Sequence, residues 1–297
     1  MKFLLLATGL CVLTVLFGCY QGTPPVTRLT EAHKKFQTLC KEDLGLATVI
    51  TPLQNTLYVY VPVEFDIFKI QASKPGMTLG SNPTEKRVIN FLETAITDNI
   101  LNITYDISTS KIYPKTLGYG SSYSEQFSQL HSNLLSALFR SFSEVETPDQ
   151  PMDFIVILII DTRNGVGVKY VLYFQDLKQA MSGSTPMAQS EYVNRIMTEM
   201  IGEQLFVDNK TGRGLDYHDW SWPEFIAQQI TYRINFKYQR SDFPPTDSNL
   251  REIMRVVGTV LGIYDFRQAD TFQLNDLGKG ETYQFNIDQL ATFQTDL

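Results

Sequence analysis

Cysteine and histidine are scarce in this chain of 297 residues, which holds only three of each. Protein metal sites are built largely from these two residue types, usually several at a time and at short spacings. The three histidines are His33, His131 and His218, and none has partners at the spacing of a metal site. The sequence therefore predicts no metal site, and no motif in it predicts a bound cofactor.

Clustered positive charge is also missing from the chain. Twenty-five lysines and arginines stand against 32 aspartates and glutamates, which gives a net charge of −7, and the sequence has no long basic run. Nucleic acids and anionic lipid surfaces both attract proteins through clustered cations. We therefore expect no nucleic-acid partner.

A short apolar run opens the sequence. Residues 3–17 are preceded by one cation, Lys2, and are followed by Gly18 and Cys19. The run is shorter than the roughly 20 residues that span a bilayer as a helix. A cation, an apolar run and a small residue in this order are typical of a secretory signal peptide.

The end of this run resembles the lipobox of bacterial lipoprotein signal peptides. Leu16 lies three residues before Cys19 and Gly18 directly before it, as in that family, whereas Phe17 replaces the small or β-branched residue that is usual there. The resemblance implies cleavage between Gly18 and Cys19, a diacylglyceryl group on the Cys19 thiol, and an acyl chain on the new amine. Several acyl chains hold a protein far more firmly than one.

This lipid anchor would place the mature chain in the cell envelope, with membrane lipid as its first partner. Tyr20 follows Cys19. An Asp at this position would resemble the signal that retains lipoproteins in the inner membrane. The periplasmic face of the outer membrane is therefore favoured if the host has two membranes. A plain secretory signal peptide without lipid is the alternative.

The remaining chain is long enough for one large domain or two smaller ones. We interpret residues 1–18 as the signal peptide, 19–29 as a short tether and 30–297 as an α+β globular domain, with a division into two lobes near 183–188 left open. Lipidation of Cys19 leaves Cys40 as the only free thiol, which excludes an intramolecular disulfide.

The order helix, strand, turn, strand occurs three times in the domain. Apolar residues at helical spacing are followed by two alternating or apolar runs in each case. The predicted elements are a helix over 31–44 with strands over 46–50 and 57–63, a helix over 122–142 with strands over 154–160 and 166–174, and a helix over 250–261 with strands over 263–266 and 271–274. The pattern predicts an α+β fold with a mostly antiparallel sheet, built from helix–hairpin units and packed by helices. A chance recurrence of common patterns would explain the similarity between the three units equally well.

Two further helices are predicted in the carboxyl-terminal half. One covers 193–201 and ends before Gly202. The other begins with Ser221 and Glu224 at the spacing of a capping box. Its far end carries Arg233, Lys237 and Arg240, where cations interact favourably with the helix dipole.

The segment Asp216, His218 and Asp219 is the sequence's candidate for catalysis. Two carboxylates and an imidazole within four residues could bind a metal or act as an acid and base. The alternative is a polar loop that leads into a capped helix. Of the other titratable groups, His33 and His131 are expected at solvated helix positions, and Cys40 is expected in the core.

Tyr58 and Tyr60 are the candidate partner surface. Both lie on one face of a predicted strand, and an exposed pair of tyrosines suits protein recognition. The alternative is that a helix covers them.

These patterns favour a non-enzymatic module that is anchored in the envelope and binds or helps assemble another envelope component, which we expect to be a protein. A lipid-tethered hydrolase with a site near His218 is the first alternative. A solute-binding lipoprotein is the second, although such receptors usually contain parallel sheets, whereas hairpins give antiparallel pairing.

Overall fold

The computed structural model describes residues 29–71, 84–112, 120–143, 152–182, 187–202, 217–239 and 247–293. The signal peptide, Cys19 and the tether up to residue 28 lie outside these ranges, as does Asp216. The helices are α1 (Glu31–Glu42), α2 (Glu125–Phe142), α3 (Phe174–Met181), α4 (Gln189–Arg195), α5 (Trp222–Gln239) and α6 (Asn249–Ile263), followed near the end by a 3-10 helix (Ile287–Phe293). The strands are β1 (Val49–Leu53), β2 (Thr56–Val63), β3 (Phe68–Gln71), β4 (Thr84–Thr97), β5 (Ile100–Ile112), β6 (Gly120–Tyr123), β7 (Phe154–Asp161), β8 (Val166–Tyr173), β9 (Met197–Ile201), β10 (Thr271–Asp276) and β11 (Glu281–Asn286).

Three sheets are packed by these helices, which confirms the α+β class. The five-stranded sheet has the order β1-β2-β7-β8-β9, the four-stranded sheet the order β11-β10-β5-β4, and β3 pairs with β6. Within the described ranges, β2 with β7 and β5 with β10 are the parallel pairs, and the other six pairings are antiparallel. The prediction of mostly antiparallel pairing is therefore confirmed.

The five-stranded sheet is buried on both faces. Its centre is β7, all eight residues of which are buried. Residues of β7 alternate between two cores because successive side chains of a strand point to opposite faces. Ile157 belongs to the first core, together with α1, α2 and α3, and Leu158 to the second core, together with α5, α6 and the four-stranded sheet.

Helix α5 contacts both sheets of the second core. The ring of Phe225 on α5 lies 4.9 Å from that of Phe154 on β7, between centroids. At its other end, the Gln239 carbonyl accepts a hydrogen bond of 2.6 Å from Lys86 Nζ on β4. A helix that packs against two sheets needs apolar residues on more than one side, and the buried residues of α5 are Phe225, Ile226, Ala227, Gln229, Ile230, Ile234 and Tyr238.

The first two helix–hairpin units are present, but the first strand is displaced: it was predicted over 46–50, and β1 is Val49–Leu53. Gly45, placed by the sequence just past the first helix, has a φ of +65°, as a glycine C-terminal to a helix should. The start of the second helix was predicted wrongly, because Ser124 rather than Ser122 caps α2 by accepting a hydrogen bond from Phe127 N at 3.1 Å.

The third unit is a helix and a hairpin, but the hairpin is displaced. Helix α6 continues to Ile263, so residues 263–266 form no strand, and the hairpin consists of β10 and β11 instead. The helix expected over 193–201 is also wrong in part. Helix α4 ends at Arg195, and β9 follows it as an edge strand paired with β8.

The sequence analysis missed the long hairpin of β4 and β5. Its two-residue turn is Asp98-Asn99, with φ of +50° and +61°, which are the values of a type I′ turn. One face of the hairpin packs on the second core through Leu101, Ile103 and Tyr105, while the other is lined by polar side chains. One of these polar side chains is Asn102, whose Oδ1 accepts a hydrogen bond of 2.8 Å from Asn275 Nδ2 on the neighbouring β10.

Both amino-terminal histidines are packed, not solvated. His33 is 7% exposed and forms a capping box with Thr30, where the Thr30 N–H donates to His33 Nδ1 at 3.1 Å. His131 stacks on Tyr170 with 4.3 Å between ring centroids, and burial lowers the pKa of its imidazole to about 4. Cys40 lies in the first core as predicted, and burial raises the pKa of its thiol to about 11.

The chain on both sides of residues 183–188 contributes to the same cores. The first core contains both Phe36 and Ile196, and the second contains both Phe154 and Phe225. Residues 183–186 themselves lie outside the described ranges.

Substitution of Gly167 on β8 tests how closely the five-stranded sheet is packed. A Cβ at this position would lie 2.9 Å from the Ile159 carbonyl oxygen and 2.9 Å from Ile160 Cγ1, so Gly167→Ala must displace β7. We expect a loss of about 1–3 kcal/mol in the free energy of unfolding, measured by urea denaturation. Gly202→Ala is the control, because nothing lies within 4 Å of a Cβ there. Equal stability of the two variants would contradict this packing.

Candidate functional site

Asp219 fastens the segment before α5 to the turn between β1 and β2. Its Oδ1 accepts hydrogen bonds from Asn55 N at 2.9 Å and Thr56 Oγ1 at 3.1 Å. The Trp220 N–H donates in turn to Thr56 Oγ1 at 2.9 Å. These bonds connect residues that are more than 160 positions apart in sequence. Asp219 therefore has a structural role at the start of α5.

His218 is held beside Asp219 but faces other groups. The Tyr58 hydroxyl donates to the His218 carbonyl at 2.9 Å and accepts from the His218 N–H at 3.2 Å. The imidazole Nε2 lies 2.8 Å from Glu224 Oε1, and the ring is 43% exposed. The structure thus pairs His218 with Glu224 at the first turn of α5, while the Asp219 carboxylate faces Asn55 and Thr56.

The capping box predicted for α5 is present. The Glu224 N–H donates to Ser221 Oγ at 3.4 Å, and the Ser221 N–H donates to Glu224 Oε2 at 3.5 Å. Glu224 therefore serves the helix end as well as His218. The segment behaves as the polar, capped loop that was the alternative to a catalytic site.

The partner surface expected at Tyr58 and Tyr60 is wrong. Their side chains are buried in the second core, with 4% and 1% exposure. Tyr217 covers Tyr58 edge to face with 4.9 Å between ring centroids. The apolar environment of both faces of β2 explains the burial, because a strand next to β7 is covered by helices on each side.

A large open cleft lies at the carboxyl ends of the parallel strands β2 and β7. Its volume is about 1440 Å³. The residues after β2, those after β7 and the first turn of α2 line it, and an edge of β9 contributes Met200. Its apolar floor is formed by Phe65, Ile67, Phe68 and Val166, and its exposed polar rim includes Lys69, Glu125, Gln126 and Gln129. The carboxyl ends of neighbouring parallel strands are a position at which many folds bind ligands.

Asp161 organises the cleft from its place at the end of β7. Its carboxylate is fully buried and accepts hydrogen bonds from Asn164 Nδ2 at 2.6 Å and from Arg163 N at 3.0 Å. Arg163 Nη2 and Asn164 Nδ2 also reach Asp66 Oδ1, at 2.9 and 3.1 Å. Burial raises the pKa of Asp161, but the bonds from Asn164 and Arg163 outweigh this effect, so its pKa lies below the usual value.

This arrangement is suited to binding. The two aspartates share Arg163 and Asn164 as donors, and Asp161 is buried whereas the Asp66 side chain is 72% exposed. Across the described part of the chain, no group of three His, Cys, Asp or Glu side chains could hold a metal ion. What the cleft offers a partner is an apolar floor surrounded by donors and acceptors, together with the half-exposed guanidinium of Arg163.

The sequence contained one signal for this cleft. Asn164-Gly165 lies between the two predicted strands 154–160 and 166–174 and is typical of a hairpin turn, and Gly165 has a φ of +65°. A carboxylate at the end of a fully apolar strand, as Asp161 is, must find buried donors. That requirement would have pointed to Arg163 and Asn164, but Asp66 could not have been included without the fold.

Comparison of the chain with protein-family models, with curated proteins and with solved structures finds no match. None of the helices in the described ranges is long and apolar enough to cross a membrane.

Substitutions at Asp219 and His218 separate a structural role from a catalytic one. Asp219→Ala leaves the Asn55 N–H and the Thr56 hydroxyl without their acceptor, and we expect a loss of about 1–3 kcal/mol in stability. His218→Ala removes a half-exposed pair and should cost less than about 1 kcal/mol. Asp219→Asn, which keeps Oδ1 as an acceptor, is the matched control. Thermal and urea denaturation measure all three, and an Asp219→Ala variant as stable as the wild type would contradict the assignment.

Proposed function

We propose that this chain is a lipid-anchored protein of the cell envelope, held in the membrane by acyl chains on Cys19. The observation that carries the proposal is the sequence Leu16-Phe17-Gly18-Cys19 at the end of a short apolar run. Two or more acyl chains at about 0.8 kcal/mol per buried CH₂ make such an anchor effectively stable. The periplasmic face of the outer membrane is the proposed location if the host has two membranes.

The anchored domain acts as a non-enzymatic binding or assembly module for another envelope protein. The cleft at the end of β7 supports this role, because it combines an apolar floor with exposed Lys69, Glu125 and Gln129. Protein interfaces commonly have this anatomy, an apolar centre with a polar rim. Arg163 adds a guanidinium that the fold already holds in place through Asp161 and Asp66.

The partners of His218 favour this role over a lipid-tethered hydrolase. A general acid or base must keep a ring nitrogen available for substrate. Here Nε2 lies 2.8 Å from Glu224 Oε1 and Nδ1 lies 3.5 Å from the Tyr58 hydroxyl, so both ring nitrogens have a polar neighbour inside the protein. The mixed sheets, each of four or five strands with a single parallel pair, likewise give less support to a solute receptor.

The proposal is tested in the native host on the wild type and on Cys19→Ser. We expect mass spectrometry to find an acylated Cys19 as the first residue of the wild-type protein, and the protein in the membrane fraction. Cys19→Ser should remain uncleaved and take up no labelled palmitate. A wild-type protein with an unmodified amino terminus would contradict the anchor.

Binding of a partner through the cleft is tested in the same cells. A photo-crosslinking residue at Gln129, on the cleft rim, should give one discrete protein adduct, and Lys69→Glu should reduce its yield. A crosslinker at Gln228, exposed on α5, is the matched control and should not give that adduct. Identical adducts at both positions, or none at Gln129, would contradict binding through the cleft.

A further inference from the structure

The five-stranded sheet ends in two edge strands, β1 and β9, which are not equally open to a further strand. Within the described ranges, β1 pairs only with β2, and β9 only with β8. An edge strand presents backbone N–H and C=O groups to which another strand can bind, unless proline, lysine or other charged side chains prevent it. Pro52 lies within β1 and has no N–H to donate. The β1 edge is therefore protected against strand addition.

The β9 edge lacks this protection. Its five residues, Met197–Ile201, include no proline and no lysine, and the one charged side chain, Glu199, pairs with Lys169 of β8 at 3.4 Å. Met200 is 68% exposed, more than any other large apolar side chain in the described part of the chain. An edge strand with an exposed apolar side chain is a position at which proteins associate. At this end of the sheet a further strand can therefore pair.

Met200 connects β9 to the cleft at the end of β7. Its cross-strand partner on β8 is Val168, which belongs to the first core, so Met200 projects from that face of the sheet. On that face it lines the cleft, together with Val166 of β8. Glu199 projects from the opposite face, because successive side chains of a strand alternate. A strand added to β9 would therefore direct every second side chain towards the cleft and the others towards Glu199.

We propose that an extended segment of the cleft's partner pairs with β9 through its backbone and places an apolar side chain in the cleft beside Met200. This inference rests on the proposed function, because it specifies how the partner binds. In strand addition, main-chain hydrogen bonds supply the affinity, and pockets for alternate side chains supply the specificity. The segment's side chain next to Glu199 is basic, because opposite charges across paired strands are stabilising.

The same glutamate argues against a second copy of this chain as the partner. Two antiparallel β9 strands that pair about their middle residue would place one Glu199 directly opposite the other. Like charges in that position destabilise a strand pair. The net charge of −7 adds a general repulsion between two copies. The segment therefore belongs to another protein.

Hydrogen exchange tests the backbone pairing directly. The adduct that forms through a crosslinker at Gln129 is purified from the native host, and its amide exchange is compared with that of the free protein by mass spectrometry. We expect alternate amides of β9, those not bonded to β8, to exchange about tenfold or more slowly in the adduct, because they gain hydrogen bonds. The amides of β1 are the internal control and should be unchanged.

The outcomes separate this inference from the proposed function. Unchanged exchange in β9 would overturn strand addition, while the adduct itself would still support binding through the cleft. No adduct at Gln129 would contradict the proposed function and this inference together. An adduct of two copies of this chain would overturn the assignment of the segment to another protein.

Met200→Lys places a charge where the segment's apolar side chain would lie. It should reduce the yield of the Gln129 adduct about fivefold or more, because lysine protects an edge strand and the apolar contact is lost. Met181→Lys is the matched control, since Met181 is 38% exposed on α3 and does not line the cleft. A wild-type yield in Met200→Lys would overturn the role of β9.

Glu199→Lys tests the charge of the segment. It would bring two cations together across the new strand pair and should reduce the adduct about twofold to fivefold. Glu93→Lys is the matched control, because Glu93 is an exposed glutamate on β4, an edge strand of the other large sheet. An equal or higher yield in Glu199→Lys would overturn the basic side chain that we assign to the segment.

Discussion

The burial of β7 on both faces is the constraint on which the rest of the structure depends. A strand whose eight residues are all buried requires a cover on each side. Helices α1, α2 and α3 supply one, and α5 and α6 supply the other. Because α5 must also meet the four-stranded sheet, its own buried residues extend around the helix. The cleft lies at the end of β7, the strand at the centre of this stacking.

Buried charge is confined to a few places in this architecture. Asp161 at the end of β7, Asp176 on α3, Glu252 on α6 and Asp276 at the end of β10 are almost completely shielded, and each has an arginine or lysine partner. The first pair shapes the cleft that we propose as the partner surface. Asp176 is paired with Arg195, and Glu252 with Lys237 and Arg255. These carboxylates are therefore held in fixed positions by the apolar layers around them.

Local patterns in the sequence predicted the helix–hairpin units, but not all of the residues at which their helices and strands begin and end. The β4–β5 hairpin was missed although Leu101, Ile103 and Tyr105 alternate with polar residues in β5. In β4 a bulge between Ile89 and Phe91 interrupts the alternation, and the turn Asp98-Asn99 contains no glycine. The roles of Asp219 and Arg233 could not be predicted from neighbours in sequence. Asp219 meets Asn55 across 164 positions, and Arg233, interpreted as a cation at a helix end, instead faces α4 and α6.

Amide hydrogen exchange of the native protein tests the central role of β7 most directly. If both cores depend on this strand, the amides of Ile157 and its neighbours in β7 should exchange slowest of all, and only through global unfolding. The amides of β4, at the edge of the four-stranded sheet, should exchange faster through local opening. Exchange in β7 as fast as in β4 would contradict the account.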